Sequence, residues 1–389
     1  MIQAPSPTEA EPTRKSWTSH RVALVHDWLT GMRGGERAFE EICRLFPDAT
    51  RFAILHVPGS VSRTIEAGPI RTSFIQGLPR SYRYYRQLLP LFPSAVEQFD
   101  LDNFDLVIST SHCAAKSIVS TGRARHLCYC FTPMRYAWDQ FDAYFGGDRV
   151  GPALSHILRW SLNRMARWDV STAHRVDCYV AISRYVAGRI RRYYDRDSEV
   201  VYPPVDTDFF QPNGKSPEPY FLVVSALVPY KRVDVAIRAS ALAGVRLRII
   251  GSGPELKALR KAAGPDVEFL GSLPDDQVRE MYQNATGILL PGIEDFGIVP
   301  VEAQSCGRPV VALARGGACE TIIGDRTGVL VPDPSDTAFA AAISRVLGQP
   351  FDSLTIRKHA VNFSRQRFSE AFMQQVANVT GDPMNQVAS

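Results

Sequence analysis

Residues 286–313, TGILLPGIEDFGIVPVEAQSCGRPVVAL, constrain the chain more than any other stretch. A short apolar run, Ile288 to Leu290, is stopped by Pro291 and Gly292, which reads as a buried strand and its exit turn. A loop carrying Glu294, Asp295, Phe296 and Gly297 follows. A helix comes next: Pro300 suits a first turn, Val299, Ala303 and Cys306 share a face, and Gly307 with Pro309 ends it. Val310 to Leu313 is the next strand. The unit is strand–loop–helix–strand, and its loop falls at the carboxyl end of a strand, where open α/β sheets bind ligands.

Two carboxylates frame that loop, Glu294 before the helix and Glu302 within it. Between them lie the first backbone N–H groups of the helix, near Gly297, Ile298 and Val299, and such an end attracts phosphate. An anion can rest on the helix while the carboxylates accept hydrogen bonds from hydroxyls on either side. A diphosphate with a sugar at one end and a ribose at the other, a nucleotide sugar, has that shape. The rival for two acidic residues is a two-carboxylate glycoside hydrolase, but the phosphate-binding helix end has no use in simple glycoside hydrolysis.

The run EDFGIVPVE, set between LLPG and SCGRPVV and followed by Gly316-Gly317 and Thr327-Gly328, resembles the E-x7-E signature of retaining glycosyltransferases of family 4, which have the GT-B fold. The segments DLVISTSHCAAKS, CYCFTPMRYAWD and SALVPYKRVD are similar to the mannosyltransferase branch that builds O-antigen and exopolysaccharide repeats. The resemblance spans roughly residues 20–370. It implies two doubly wound Rossmann-like domains facing across a cleft.

The rest of the chain fits that frame. At 389 residues, 45% hydrophobic and 22% charged, it has room for two large cores, and no run approaches the ~20 apolar residues of a membrane span. Residues 1–17 are polar and proline-rich, lack the apolar core of a secretory signal, and are expected to be disordered. Seven cysteines without regular spacing point to a reducing cytoplasm, and Cys128 and Cys130 read as period-two packing in a strand. Residues 18–200 carry 24 Lys plus Arg against 18 Asp plus Glu, whereas 201–389 carry 18 against 20. An arginine-rich first half suits phosphate or an anionic membrane surface, and no feature suggests a nucleic-acid partner.

Along the chain, RVALVH (21–26) is a strand, and Gly31, Gly34 and Gly35 make a glycine-rich turn before a helix, without the G-x-G-x-x-G of a dinucleotide site. Arg80, Arg83 and Arg86 alternate with Tyr82, Tyr84 and Tyr85 before an apolar stretch. This segment can lie in a membrane interface or meet a lipid phosphate, or it can be a helix with its arginines in water. FDLVIST (104–110) and HLCYCF (126–131) are strands, with His112 and then Thr132, Arg135 and Asp139 beyond their carboxyl ends. VDCYVAIS is another strand, and Ser183 reads as the N-cap of the helix after it. The proline-broken VVYPPVDTDFFQP marks the boundary, giving domains 18–203 and 204–389, with the last helix free to cross back. The second half then repeats strand–loop–helix from YFLVVSA onward, so both sheets should be parallel.

The resemblance assigns roles. Lys231 matches the lysine that meets the sugar donor's diphosphate, with Phe296 in the donor-binding loop, Gly34, Gly35, Gly251 and Gly253 at turns near the diphosphate and base, and Asp27 at the cleft. Glu294 would hold sugar hydroxyls and Glu302 the ribose, while Lys231 and the amides of Gly297–Val299 stabilise the leaving diphosphate. Two departures stand out. Many relatives have a histidine where this chain has Phe131, so either His112 or backbone groups take its part. Many also have an arginine where this chain has Ala226, leaving Arg232 as the nearest substitute. No D-x-D motif precedes a metal loop, so neither metal nor cofactor is expected. The implied reaction is transfer of mannose from GDP-mannose to a polyprenyl-diphosphate-linked or growing polysaccharide acceptor, at the cytoplasmic face of the membrane. A UDP-sugar-dependent transferase or a GT-B epimerase are the alternatives.

Overall fold

The computed structural model describes residues 20–120, 122–134 and 152–381. The N-terminal tail 1–17, Arg135 and Asp139 lie outside the described residues.

Every apolar run read as a strand becomes one, and all the pairings are parallel. The first sheet holds β1 (Val22–His26), β2 (Thr50–Ala53), β3 (Ile70–Thr72), β4 (Leu106–Ser111), β5 (Arg125–Cys130), β6 (Cys178–Ala181) and β7 (Glu199–Val200), in the order β3-β2-β1-β4-β5-β6-β7. The second holds β8 (Tyr220–Val224), β9 (Arg246–Ile250), β10 (Val267–Gly271), β11 (Gly287–Leu290), β12 (Val310–Leu313) and β13 (Gly328–Val331), in the order β10-β9-β8-β11-β12-β13. Central strands such as VALVH and GILL are buried along their whole length because helices cover both faces of each sheet. Cys128 and Cys130 lie in one core cluster, as period-two packing requires, and all seven cysteines are free.

In each sheet the chain first builds outward in one direction and then returns to the other side of its first strand. The order therefore reverses between β1 and β4, and again between β8 and β11. Such reversals open a crevice at the carboxyl ends of the strands, where ligands of open α/β sheets bind.

The helices that matter below are α1 (Gly34–Leu45), α2 (Pro152–Ser171), α3 (Arg184–Tyr194), α4 (Val233–Ala243), α5 (Asp275–Asn284), α6 (Ile298–Ser305), α7 (Ala318–Thr321) and α8 (Arg365–Thr380). The lobes are joined twice, and the two crossings touch: Val205 N–H donates to the Phe363 carbonyl at 3.0 Å. After the second crossing α8 returns to the first lobe, where Phe368 and Phe372 pack on Tyr129 with ring centroids 5.6 and 5.7 Å away. Both rings are buried, and each contributes about 1.5–3 kcal/mol toward holding α8 there.

Candidate active site

The first lobe contributes a wall built on Asp27. This carboxylate follows β1, is fully buried, and accepts four backbone N–H bonds, from His112 (2.7 Å), Cys113 (2.9 Å), Ala114 (2.7 Å) and Ala115 (2.7 Å). It also meets His112 Nδ1 at 3.0 Å. Asp27 was expected at the cleft itself; with no exposed surface it acts instead by fixing the turn after β4 and the His112 ring. Burial opposes its ionisation, but His112 and the amide overrule burial and hold it down to about 2. Burial likewise works against a protonated His112, yet Asp27 and then Glu36 push its pKa upward. The imidazole stands edge-on to Trp28, centroids 4.4 Å apart, and 6.3 Å from the ring of Phe131. The histidine absent at position 131 thus has a neighbour within ring contact. Further along, a buried pair between Lys116 Nζ and Asp169 Oδ1 (2.9 Å), with Tyr194 donating to Asp169 Oδ2 (2.8 Å), ties this turn to α2 and α3. Thr132 is buried, and its hydroxyl has no hydrogen-bond partner among the described residues.

The second lobe contributes a different pair. Lys231 ends the one-turn 3-10 helix Pro229–Lys231, and its ammonium contacts Glu294 Oε1 at 2.5 Å and Oε2 at 2.6 Å. Close backbone approach makes this meeting possible. A Cβ on Gly292 would stand 2.7 Å from the Lys231 Cα, and one on Gly316 would stand 2.3 Å from the Glu294 carbonyl oxygen. The Gly317 N–H donates to that same carbonyl at 2.8 Å. The Gly316-Gly317 pair is therefore the floor under the Glu294 loop. Gly297 follows at φ +93° and delivers the chain into α6, whose first N–H groups have no partner within the helix.

Glu302 lies inside α6, 8% exposed, with Tyr282 donating to Oε2 at 3.0 Å. Burial raises its pKa, offset in part by Arg37 and Tyr282. Arg37 comes from α1 of the opposite lobe and forks onto Asp275 at the start of α5, at 2.7 and 2.8 Å. The starts of α1 and α6 nearly touch: a Cβ on Gly34 would lie 2.9 Å from Ile298 Cδ1, and Gly35 backs onto Phe131. Two positive helix ends thus converge between Glu294 and Glu302, a setting that favours a phosphate-bearing ligand.

Four residues expected at the sugar donor have close partners within the chain. Phe296 is 2% exposed and stacks on Tyr202, centroids 5.6 Å apart, and edge-on to Phe363; an aromatic ring at the meeting of the two crossings is pulled into the core. Gly251 and Gly253 pack directly against the backbone of residues 225–227, where any Cβ would fall 1.8 and 2.3 Å from carbonyl oxygens. They let two loops meet closely. Arg232, in the left-handed region at φ +52°, turns its guanidinium to Asp234 at 3.1 and 3.3 Å. Conversely, sequence reasoning missed Tyr282, Arg37, Asp275 and Glu320. Only the last had a local signal, its place in GGACE immediately after the glycine pair.

The arginine segment forms a short helix (Ser81–Tyr84) and a 3-10 turn (Tyr85–Leu91) rather than one long helix. Leu88, Leu89 and Phe92 pack on the core, while Arg80, Arg83 and Arg86 are exposed beside Phe74, Tyr82 and Leu91, which are 42%, 51% and 39% exposed. Arg83 lies over Tyr82 and Arg86 over Tyr85. Among the described residues no helix is long and apolar enough to cross a membrane, and no group of three or more His, Cys, Asp or Glu is placed to hold a metal.

Comparison with known proteins agrees with this architecture. The family model "Glycosyltransferase Family 4" matches residues 32–209, and "Glycosyl transferases group 1" matches residues 205–367. A D-inositol 3-phosphate glycosyltransferase of Mycobacteroides abscessus is 30% identical over 263 residues, covering 61% of this chain and 57% of that protein. A GDP-mannose-dependent alpha-(1-6)-phosphatidylinositol monomannoside mannosyltransferase of Mycolicibacterium smegmatis is 29% identical over 233 residues, 52% of this chain and 61% of that protein. The match thus spans about three fifths of the length of these relatives. The structure of Anabaena HepE with UDP and glucose superposes with a TM-score of 0.68 at 18% identity, covering 91% of this chain and 99% of that one. Two lobes, each with its own switch point and helix ends, are spanned together by the two family models across residues 32–367, and the chain belongs to the group-1, family-4 glycosyltransferases of GT-B fold.

Proposed function

We propose that this protein transfers mannose from GDP-mannose, with retention at the anomeric carbon, to a polyprenyl-diphosphate-linked or growing polysaccharide acceptor in cell-surface polysaccharide synthesis. The observation that carries the transferase reading is the Lys231–Glu294 pair at the mouth of α6, opposite the start of α1. On this reading the diphosphate takes Lys231 from Glu294, which frees Glu294 to accept bonds from sugar hydroxyls. Charge growing on the β-phosphate as the glycosidic bond breaks is met by the ammonium and the amides of Gly297–Val299. Glu302, fixed by Tyr282, accepts from the ribose. His112, held by Asp27, faces the sugar from the first lobe. Because protein groups meet the phosphate charge, the reaction needs no metal. The GDP-mannose assignment is supported by the motif resemblance and by the activity named for the M. smegmatis relative.

The acceptor reading draws on the exposed Arg80, Arg83 and Arg86 with their aromatic neighbours, a surface suited to an anionic leaflet at the cytoplasmic side. Binding to anionic liposomes should appear at low salt and fade as salt screens the charges; no sedimentation with liposomes at low salt would remove this part.

The deciding experiment is a panel of GDP- and UDP-sugars with lipid-linked acceptors, products analysed for anomeric configuration, alongside calorimetry with GDP and UDP. Mannose transfer from GDP-mannose with retained configuration is expected. UDP binding tighter than GDP by about tenfold, ~1.4 kcal/mol, would replace the donor with a UDP-sugar. Conversion of the sugar without an acceptor would point to an epimerase.

A further inference from the structure

We infer that Glu320 and Ser183 are positioning residues, which seat the Glu294–Gly297 loop of the second lobe on the first lobe beside the pivot between them. The inference deepens the functional reading above and rests on Glu294 being the sugar-binding carboxylate.

Ser183 caps α3 by accepting from the Val186 N–H at 3.0 Å, and its own proton goes to the Asp295 carbonyl of the opposite lobe at 2.5 Å. One hydroxyl thus fixes both a helix start and the residue next to Glu294. Glu320 completes the seat from the other side. Its Oε2 accepts from the Arg184 N–H at 2.8 Å and from the Tyr202 hydroxyl at 3.1 Å, and its Oε1 accepts from the Tyr185 N–H at 3.0 Å. The first amides of a helix have no partner inside it, and the end carries positive potential, so a carboxylate supplied in trans is well matched. A helix end that would otherwise be open at the carboxyl side of β6 is occupied by the other lobe.

The location of this seat gives it meaning. Tyr202 lies in the first connection between lobes, three residues before Val205, whose amide bonds the second connection at Phe363. Any rotation of one lobe against the other would pivot about this region, since both connections pass through it. Tyr202 also stacks on Phe296, in the Glu294 loop. Glu320 itself stands three residues after Gly317, whose N–H holds the Glu294 carbonyl. A short path of backbone contacts therefore runs from α3 through Glu320 and Gly317 to Glu294. The contact on the opposite rim, Arg37 with Asp275, is of another kind: a single ion pair between a half-buried arginine and an exposed aspartate, with no backbone group in it.

If this reading holds, loosening the seat displaces Glu294 relative to His112 while leaving Lys231 and the first amides of α6, the phosphate contacts supplied by the second lobe, in place. A displacement of about 1 Å at a reacting group can cost about 10²-fold in rate. Glu320→Gln keeps the volume but has one acceptor oxygen, so it turns an NH2 toward one of the two amides. Ser183→Ala removes the cross-lobe bond, and Ser183→Thr restores it.

The test compares wild type, Glu320→Gln, Ser183→Ala and Ser183→Thr for kcat, for KM of the sugar donor, and for affinity toward GDP and UDP by calorimetry, with circular dichroism and melting as controls. The expected result is a loss of about tenfold or more in kcat for Glu320→Gln and Ser183→Ala, nucleotide affinity within about twofold of wild type, and recovery in Ser183→Thr. Folded variants that turn over as wild type, or nucleotide affinity falling in step with kcat, would overturn the inference. Should Glu320→Gln fail to fold, the serine pair decides by the same criteria. A wild-type chain that transfers no sugar from any donor removes both readings, whereas an active wild type with unaltered variants removes this one alone.

Discussion

The two switch points of this molecule occupy the same place in their sheets and carry the same kind of pair, a carboxylate facing a basic side chain across the crevice, yet they are built for different work. At the first, between β1 and β4, Asp27 is saturated by four amides as well as by His112. At the second, between β8 and β11, the Glu294 carboxylate is bound by Lys231. The first carboxylate has nothing left to offer a ligand, and its effect is to hold a turn and an imidazole still. In the proposed function the second pair exchanges partners, a diphosphate replacing the carboxylate at the lysine while hydroxyls replace the lysine at the carboxylate. Topology puts a crevice at both places; whether it binds or supports depends on how far its polar groups are already satisfied.

That contrast can be broken most sharply at Glu294. Glu294→Gln should lower transfer by about 10³-fold in a folded protein, since the group that orders the sugar is lost at the reacting centre. Initial rates with circular dichroism check this, and a rate within tenfold of wild type would take Glu294 out of the site. Lys231→Ala comes next. It should weaken nucleoside diphosphate binding by about 10- to 100-fold, ~1.4–3 kcal/mol, as a charge-assisted contact is removed; calorimetry showing equal affinity would contradict the exchange of partners.

On the first wall the expected effect is smaller and depends on pH. His112 has a raised pKa in the folded state, so the stabilisation it draws from Asp27 is fully present below the ordinary histidine value of about 6.5. It is lost as pH rises through the folded-state value. The groups around the ring are Asp27, Glu36, His26 and Arg33, and only the first two favour the charged form in this count. In Asp27→Asn the imidazole should titrate at lower pH than in wild type, as followed by ring-proton NMR; an unmoved titration would show that Asp27 does not hold it.

Glu302 gives a smaller effect of opposite sign. Burial raises its pKa, so its ionisation lowers stability as pH climbs through the unfolded carboxylate value of about 4.3. Glu302→Gln should therefore melt about 2 °C higher at neutral pH, the gain vanishing in acid, while sugar-donor affinity falls. A lower melting temperature at neutral pH would mean that the ionised carboxylate is a net stabiliser through Arg37 and Tyr282. The smallest expected change is none: transfer should survive EDTA. Activity lost on chelation and restored by magnesium or manganese would mean that the Lys231 side of the comparison lacks the charge assigned to it.

How much of this was legible depends on distance along the chain. The strands were readable because runs such as VALVH, FDLVIST and GILL are apolar without interruption, and that pattern suits a sheet covered on both faces. The loop of Glu294 was readable because Pro291, Gly292 and Gly297 punctuate it locally. Phe296 was misread as a ligand contact because its partners, Tyr202 and Phe363, come from far along the chain. The packing of Gly251 and Gly253 was not legible, because nothing near them in sequence reveals the 225–227 backbone lying against them.

By itself, then, the sequence determined the alternation of strand and helix, the carboxyl-end loops, and the spacing that puts Glu294 and Glu302 on either side of one helix start. These follow from local backbone preference and burial pattern, which neighbours within a few residues decide. Only the tertiary structure decided which carboxylate is saturated by backbone amides and which is paired with a lysine, that Tyr282 and Arg37 surround Glu302, and that Glu320 closes the start of α3 from the opposite lobe. Those outcomes depend on hydrogen bonds and charges meeting at about 3 Å between segments up to 238 residues apart, as for Arg37 and Asp275, and no local pattern encodes such a meeting.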